Sequence, residues 1–377
     1  MKIAFFSESY KPYLSGVTNS IETLFNELRS MGHDPYVFAP DYPDAKISEN
    51  IYRLPSIGSP YPKYRLAIPR PFEVLKVLKE KGINIIHSHS PYQLGLMSMW
   101  CAGKLDLPFV FTMHTLFDKY MHYVPLIPAK LKEGFMREYI KGFSNRCDVI
   151  IVPTQKAKEY IGSTGVTSRI EVIPTGLDLR LFDKLDPRGV REKHGISQDC
   201  IVLLFVGRLA KEKNLPFLLR AFRLVQKEIN NIKLLLVAGG PLESELKKEA
   251  ADIGISEKTI FTGEIGYPEV LNYYAAADLF VFSSLTETQG LVLPEAMAAG
   301  LPVVALNSEG VSNIVKEGES GFLVEPSENL FAEKVIYLLL NKERLNELRI
   351  STKAYAASFS SKTFAGNIEK IYLSLPQ

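Results

Sequence analysis

Cysteine is scarce in this sequence: three in 377 residues, at positions 101, 147 and 200. Cys101, Cys147 and Cys200 lie far apart, are odd in number and match no metal-ligand spacing, which argues against a disulfide framework and for a reducing compartment. Long apolar runs are missing too. No segment approaches the roughly 20 residues needed to span a bilayer, and Lys2 and Glu8 bring charge in too early for a signal-peptide core. A cytoplasmic protein is expected, with any membrane contact peripheral. The formal net charge is only +2, too small to argue for nucleic acid as a partner. Also absent is a Gly-x-Gly-x-x-Gly fingerprint after the first strand, which speaks against a dinucleotide-binding oxidoreductase.

What is present is ordinary for a folded chain: 46% hydrophobic and 23% charged residues. The length suggests two or three domains. Charge is uneven: residues 1–180 hold 22 Lys+Arg against 17 Asp+Glu, and the remainder 22 against 25. A basic N-terminal half favours an anionic partner there, although chance scatter of surface charge would look similar. Short apolar strands are expected at Lys2–Ser7, Pro35–Ala39, Ile83–His87, Phe109–His114 and Val149–Pro153. Between the first two, Ile21, Leu24, Phe25 and Leu28 recur at helical spacing, and Gly32 closes that helix. A second series runs through strands at Ile201–Gly207, Lys233–Ala238, Thr259–Thr262, Leu279–Ser283 and Pro302–Ala305, with helices near Leu215–Ile229 and opening at Pro294. Continuous apolar strands alternating with helices predict parallel sheets covered on both faces. The chain thus reads as two doubly wound units, joined at the turn-rich Pro174–Asp178. Such sheets bind ligands beyond the carboxyl ends of their strands.

Three stretches carry candidate chemistry. The first is 286–300, Thr-Glu-Thr-Gln-Gly-Leu-Val-Leu-Pro-Glu-Ala-Met-Ala-Ala-Gly. It follows a strand; Pro294 suits a first helical position, Glu295 then falls in the first turn, and Gly290 lets backbone approach a ligand. Taken alone, Glu295 could simply stabilise the helix dipole and Glu287 could be a solvated loop residue. The second is Val206–Asn214, where Arg208, Lys211 and Lys213 on a strand-to-helix loop suit a diphosphate, or are simply a solvated basic loop. In the third, Gly16 precedes the first helix, where backbone N–H groups could meet a phosphate or merely make a turn. His114 ends a strand, as does His87-x-His89. A buried hydrogen-bonded role is the plain alternative for these rings, and no third ligand is evident that would make a metal site.

Together these stretches resemble the retaining GT-B glycosyltransferases of family 4. The resemblance rests on a Glu-x7-Glu pair, Glu287 and Glu295, within Gly-Leu-Val-Leu-Pro-Glu-Ala-Met-Ala, and on the Gly207–Asn214 loop, and it covers nearly the whole chain. It implies an α/β fold of two Rossmann-like, doubly wound parallel-sheet domains facing a central cleft. Residues 1–178 would bind the acceptor and 179–359 the nucleotide-sugar, with a last helix at about 360–377 crossing back. Arg208 and Lys213 would bind the diphosphate, Glu295 the ribose, and Glu287 the donor sugar. Gln289, Gly290, Leu291 and Val292 would contact sugar or phosphate, Gly263 and Ile265 would line the base pocket, and His114 would stand beside donor sugar and acceptor hydroxyl. The first loop has Ser15-Gly16 where many relatives have two glycines, and the join reads Thr175-Gly176-Leu177-Asp178 rather than Asn-Gly-Val-Asp. Both departures, and the segment Thr112–Val124, resemble the subgroup that glucosylates 1,2-diacylglycerol.

That resemblance implies UDP-glucose as donor and a membrane lipid as acceptor, on the inner face of the cell membrane. No tightly bound cofactor is expected, and any stimulation by Mg2+ would come without a protein-ligated site. Residues 119–146 interleave cations with apolar residues, helically spaced from Ala129 onward. They read either as a basic amphipathic surface for anionic lipid or as a helix packed on the core. Asp118 and Lys119 are weaker acceptor-site candidates, and Tyr61–Arg65 could add basic and aromatic contacts. The family's outcome is retention, described as front-face attack in which a leaving-group oxygen takes the acceptor proton, so Glu287 is not assigned as a nucleophile. A mannosyl- or galactosyltransferase, an epimerase of the same fold, and a non-catalytic sugar-nucleotide-binding protein are the alternative readings.

Overall fold

A computed structural model of the chain describes residues 1–13, 15–45, 48–59, 64–114, 129–285, 287, 290–308 and 310–376, with side chains of 129–133 outside the description. The chain divides into two compact units, Met1–Gly176 with Ser361–Gln377, and Leu177–Ser360.

The first unit runs β1 (Lys2–Phe6), α1 (Gly16–Ser30), β2 (Asp34–Pro40), β3 (Ile51–Leu54), β4 (Ser56–Gly58), β5 (Arg65–Ala67), α2 (Pro71–Lys81), β6 (Ile85–Ser88), α3 (Gln93–Leu105), β7 (Phe109–Thr112), α4 (Ala129–Ser144), β8 (Val149–Val152), α5 (Gln155–Ser163) and β9 (Arg169–Val172). Seven strands form one parallel sheet in the order β3-β2-β1-β6-β7-β8-β9, while β4 and β5 pair separately and antiparallel. Successive side chains of a strand point to opposite faces, and the core divides accordingly. Ala4, Phe6, Ile86, Phe111, Ile150 and Val152 join one buried cluster; Ile3, Phe5, Ile85, Val110, Val149 and Ile151 join another. The first cluster is covered by α2, α3, α4 and α5, the second by α1 and the chain's last helix.

The second unit continues with α6 (Pro187–Lys193), β10 (Ile201–Val206), α7 (Leu215–Glu228), β11 (Ile232–Val237), α8 (Glu243–Asp252), β12 (Thr259–Phe261), α9 (Val270–Ala276), β13 (Leu279–Phe282), α10 (Val292–Ala298), β14 (Val303–Leu306), β15 (Gly321–Val324), α11 (Glu328–Leu340) and α12 (Lys342–Ala356). The last helix, α13 (Ser361–Leu373), belongs to the first unit. The second sheet has the order β12-β11-β10-β13-β14-β15, all parallel. That is the Rossmann order, with its reversal between β10 and β13. Both units are therefore Rossmann-like α/β folds. Helix α10 opens at Val292, so Pro294 stands third in it rather than first as the sequence suggested. Proline is tolerated there because the N–H groups of a helix's opening turn have no intrahelical partner in any case. Among the described residues, no helix is long and apolar enough to cross a membrane. All three cysteines are buried free thiols.

Candidate functional site

In the second unit, strand order places the loops after β10 and β13 side by side, because those strands are neighbours where the winding reverses. The structure brings Lys213 and Glu287 together there: the Lys213 ammonium donates to Glu287 Oε1 as an ion pair, and both side chains are largely buried. The two loops are stitched along their backbones. Ser283 Oγ donates to the Lys213 carbonyl at 2.8 Å, and Ser284 Oγ and the Leu285 N–H both reach the Glu212 carbonyl at 3.2 Å. Ser308, after β14, donates to the Ser284 carbonyl at 2.7 Å. Gly310 (φ +85°) packs so closely that a Cβ there would stand 2.2 Å from the Glu287 carbonyl oxygen. Gly290 (φ +59°) turns the same loop toward α10.

Arg208 is not part of this ion pair. It is exposed and its side chain has no partner among the described residues, while its neighbour Leu209 is fixed by hydrogen bonds to Gly239 and Leu242 at 3.1 Å each. The sequence reading missed that second loop, Gly239-Gly240 after β11. A Cβ on Gly240 would lie 2.4 Å from the Leu209 carbonyl oxygen.

Glu295 lies half-buried in the first turn of α10, and its Oε2 accepts from the Tyr274 hydroxyl at 2.7 Å. Burial pushes its carboxyl up to about 7, against the lowering effect of that hydrogen bond. Tyr274, fully buried in α9, was not legible as a site residue. Gly263 (φ +72°) bridges to Ala238, and Ile265 packs partly on the core beyond the end of β12. Leu291 and Val292 are half-buried at the start of α10. Gln289 lies outside the described residues.

In the first unit the order reverses between β1 and β6. His87 and His89 come from the end of β6 and His114 from just beyond β7. His89 Nδ1 lies 3.0 Å from His114 Nε2, and His87 bonds Tyr372 at 2.6 Å and Thr112 at 2.7 Å. Among the described residues no group of three or more His, Cys, Asp or Glu side chains could hold a metal. Gly16 opens α1, exposed, with Ser15 as N-cap accepting from the Thr18 N–H at 3.1 Å. Asp118, Lys119 and the rest of 115–128 lie outside the described residues. Of the amphipathic stretch, the apolar residues described further along α4 are used internally. Ile140 and Phe143 are buried, Met136 and Tyr139 pack against the same core, and Phe135 is left exposed.

Glu8 is a site candidate the sequence did not signal. It follows β1, is buried, and accepts the Leu94 N–H at the start of α3 at 2.7 Å. Burial pushes its carboxyl up to about 7, with the Leu94 bond acting in the opposite direction. A carboxyl that holds its proton more tightly folded than unfolded stabilises the fold most at low pH. That contribution is lost as pH rises from the unfolded value of 4.5 through about 7. Wild type is therefore expected to lose roughly 3 kcal/mol relative to Glu8→Gln across that window. Urea unfolding of both proteins from pH 5 to 8 checks this, and parallel stability curves would refute it. The comparison is made between the two proteins because the clustered histidines His87, His89 and His114 act with the opposite sign. Burial lowers His114 to about 4, so its stabilisation is lost as pH falls below 6.5.

The sequence model described as "Glycosyltransferase Family 4" matches residues 14–181, and that described as "Glycosyl transferases group 1" matches residues 188–356. The alpha-monoglucosyldiacylglycerol synthase of Streptococcus pneumoniae is 32% identical, covering 99% of this chain and 86% of that protein. The protein of the same name from Acholeplasma laidlawii is 30% identical, covering 100% and 97%. Among solved structures, Anabaena Alr3699/HepE in complex with UDP superposes with a TM-score of 0.79 at 20% identity, over 100% of both chains.

Proposed function

The chain belongs to glycosyltransferase family 4 and is a hexosyltransferase, and from that premise we propose that it moves glucose from UDP-glucose to 1,2-diacylglycerol with retention at the anomeric carbon. The observation that carries the reading is the convergence of Lys213 with Glu287 at the reversal point of the second sheet. Full-length similarity to two monoglucosyldiacylglycerol synthases supports the lipid acceptor.

In this reading the second unit holds the donor and the first the acceptor. The diphosphate lies against Lys213 and the unpartnered Arg208, whose cations stabilise the charge that develops as the C1–O bond breaks. Glu295 accepts from ribose hydroxyls, Glu287 from hydroxyls of the transferred sugar, and Gly290 to Val292 bring backbone to the same ligand. Gly263 and Ile265 line the base pocket. The acceptor oxygen bonds to C1 on the face the phosphate leaves, and the departing phosphate oxygen takes the acceptor's proton. No protein nucleophile is needed, unlike in glycoside hydrolases, and no protein-ligated metal. The enzyme works as a peripheral protein on an anionic membrane.

The test is a product assay with UDP-glucose, UDP-galactose and GDP-mannose, each with and without diacylglycerol in anionic vesicles. An α-glucolipid formed only with UDP-glucose and diacylglycerol is expected. Faster transfer from another donor, transfer to soluble sugars alone, or donor isomerisation without acceptor would replace the proposal.

A further inference from the structure

The ring of His89 is held on several sides. Its backbone N–H donates to the Phe6 carbonyl at 2.8 Å. The His87 ring stacks on it with centroids 4.3 Å apart, and Phe5 meets it edge-on at 5.3 Å. Its Nδ1 faces His114 Nε2 at 3.0 Å. Its Nε2 is buried and has no hydrogen-bond partner among the described residues.

A neutral imidazole carries one N–H and one bare nitrogen. Were the proton of His89 on Nε2, a donor would be buried with nothing to receive it. With the proton on Nδ1, the donor is satisfied by His114 and only a lone pair is left over, the less costly of the two deficits. His114 Nε2 is then an acceptor, and the remaining proton of a neutral His114 sits on Nδ1. That Nδ1 has no partner among the described residues, on a ring that is only half-buried. His87 imposes no competing demand, because its partners are the hydroxyls of Tyr372 and Thr112, which rotate to donate or accept.

Resting on the reading of His114 as the group beside the transferred sugar, we propose that His89 is the positioning residue that fixes His114 in its Nδ1–H form, so that His114 serves as a neutral hydrogen-bond donor and not as a base. Its one basic nitrogen is occupied by His89, and its one N–H is left for a sugar hydroxyl or phosphate oxygen. Burial acts in the same direction by keeping all three rings uncharged: His87 is pushed down to about 3, His114 to about 4, and His89 well below its ordinary value.

The test uses the full chain labelled with 15N-histidine. The sequence has six histidines, so long-range 1H–15N spectra at neutral pH can be assigned by single replacements. His114 is expected to show a protonated Nδ1 and a bare Nε2. His89→Asn, whose amide can stand in for the Nδ1–H, should keep that pattern, and His89→Leu should lose it. In transfer assays His89→Leu should lower kcat about 10–100-fold with little change in donor KM, and His89→Asn should recover most of it; thermal melts confirm that both variants fold. Protonation of His114 at Nε2, or a His89→Leu protein with unchanged His114 signals, overturns the proposal whether or not transfer is seen. If instead the spectra are as expected but His114→Ala turns over normally, His114 has no role in transfer and the positioning role falls with it.

Discussion

Lys213→Ala is expected to lower turnover of the nucleotide-sugar about 10²–10³-fold, the usual cost of removing one preorganised group that stabilises a leaving group's charge. The side chain is 16% exposed and its Glu287 partner 11%, so the ammonium cannot be replaced simply by solvent. Its position is set by Asn214, whose left-handed φ of 51° ends the turn that carries Lys213 and starts α7. Removing the cation also leaves Glu287 without its ion-pair partner, at a stability cost of roughly 1–3 kcal/mol. Arg208→Ala supplies the contrast. Arg208 is exposed and its side chain unpartnered among the described residues, so its loss should leave the melting temperature in place while activity falls by a similar factor. Glu287→Ala should be as inactive as Lys213→Ala, and the double variant little worse than either, because the two groups act as one unit. Steady-state kinetics beside thermal melts checks the series. Near-normal turnover in folded Arg208→Ala and Glu287→Ala would remove the catalytic assignment of the second unit.

Ending the chain after Ser360 is expected to unfold the first unit. Helix α13 brings Phe364, Ala365, Ile368, Ile371 and Tyr372 into the core beneath β1, β6, β7 and β8, and Leu375 follows just beyond it. It also brings Glu369 to His33 at 2.7 Å, Ser361 to Glu27 at 2.8 Å, and the Tyr372 hydroxyl to His87. Deleting one large buried side chain costs about 2–5 kcal/mol. Losing the whole set exceeds the ~5–15 kcal/mol that holds a typical domain folded. The shortened chain should be insoluble or lack a cooperative transition for this unit, and Ile368→Ala in the full chain should cost about 2–5 kcal/mol by urea unfolding. A soluble 1–360 chain that melts like wild type would contradict this account of the core.

What could be read in the sequence followed burial. Strands such as Val149–Val152 and Ile201–Val206 are continuous apolar runs because helices cover both faces of their sheets, and all of these central strands were recognisable. Of the four edge strands, β12 was recognisable at Thr259–Thr262, but β3, β9 and β15 were not placed. Arg169-Ile-Glu-Val in β9 and Ile-Tyr-Arg-Leu in β3 each carry charge within the strand, as edges often do, and so lack a clear apolar signal. The Glu287 and Glu295 pair was legible as a motif, and Lys213 as a cation of the second stretch, but the pairing of Lys213 with Glu287 was not, nor was Tyr274 as the partner of Glu295. Lys213 and Tyr274 are 74 and 21 residues away from them, and only strand order brings them near. Glu8 gave no signal, since an isolated carboxylate has no period. The amphipathic pattern of α4 was ambiguous for a physical reason: a helix seated on a core and one lying on lipid show the same spacing. Met136, Tyr139, Ile140 and Phe143 belong to the core.

The split of the first unit along the chain also sets a timetable. Its N-terminal 176 residues leave the ribosome first, but the helix that completes its core is encoded after the whole of Leu177–Ser360. At the ~5–20 residues per second of translation, that delay is roughly 10–40 s. The second unit, contiguous in sequence, can finish folding while the first still lacks one wall. During that interval a nascent sheet with its apolar residues uncovered is a natural client for chaperones.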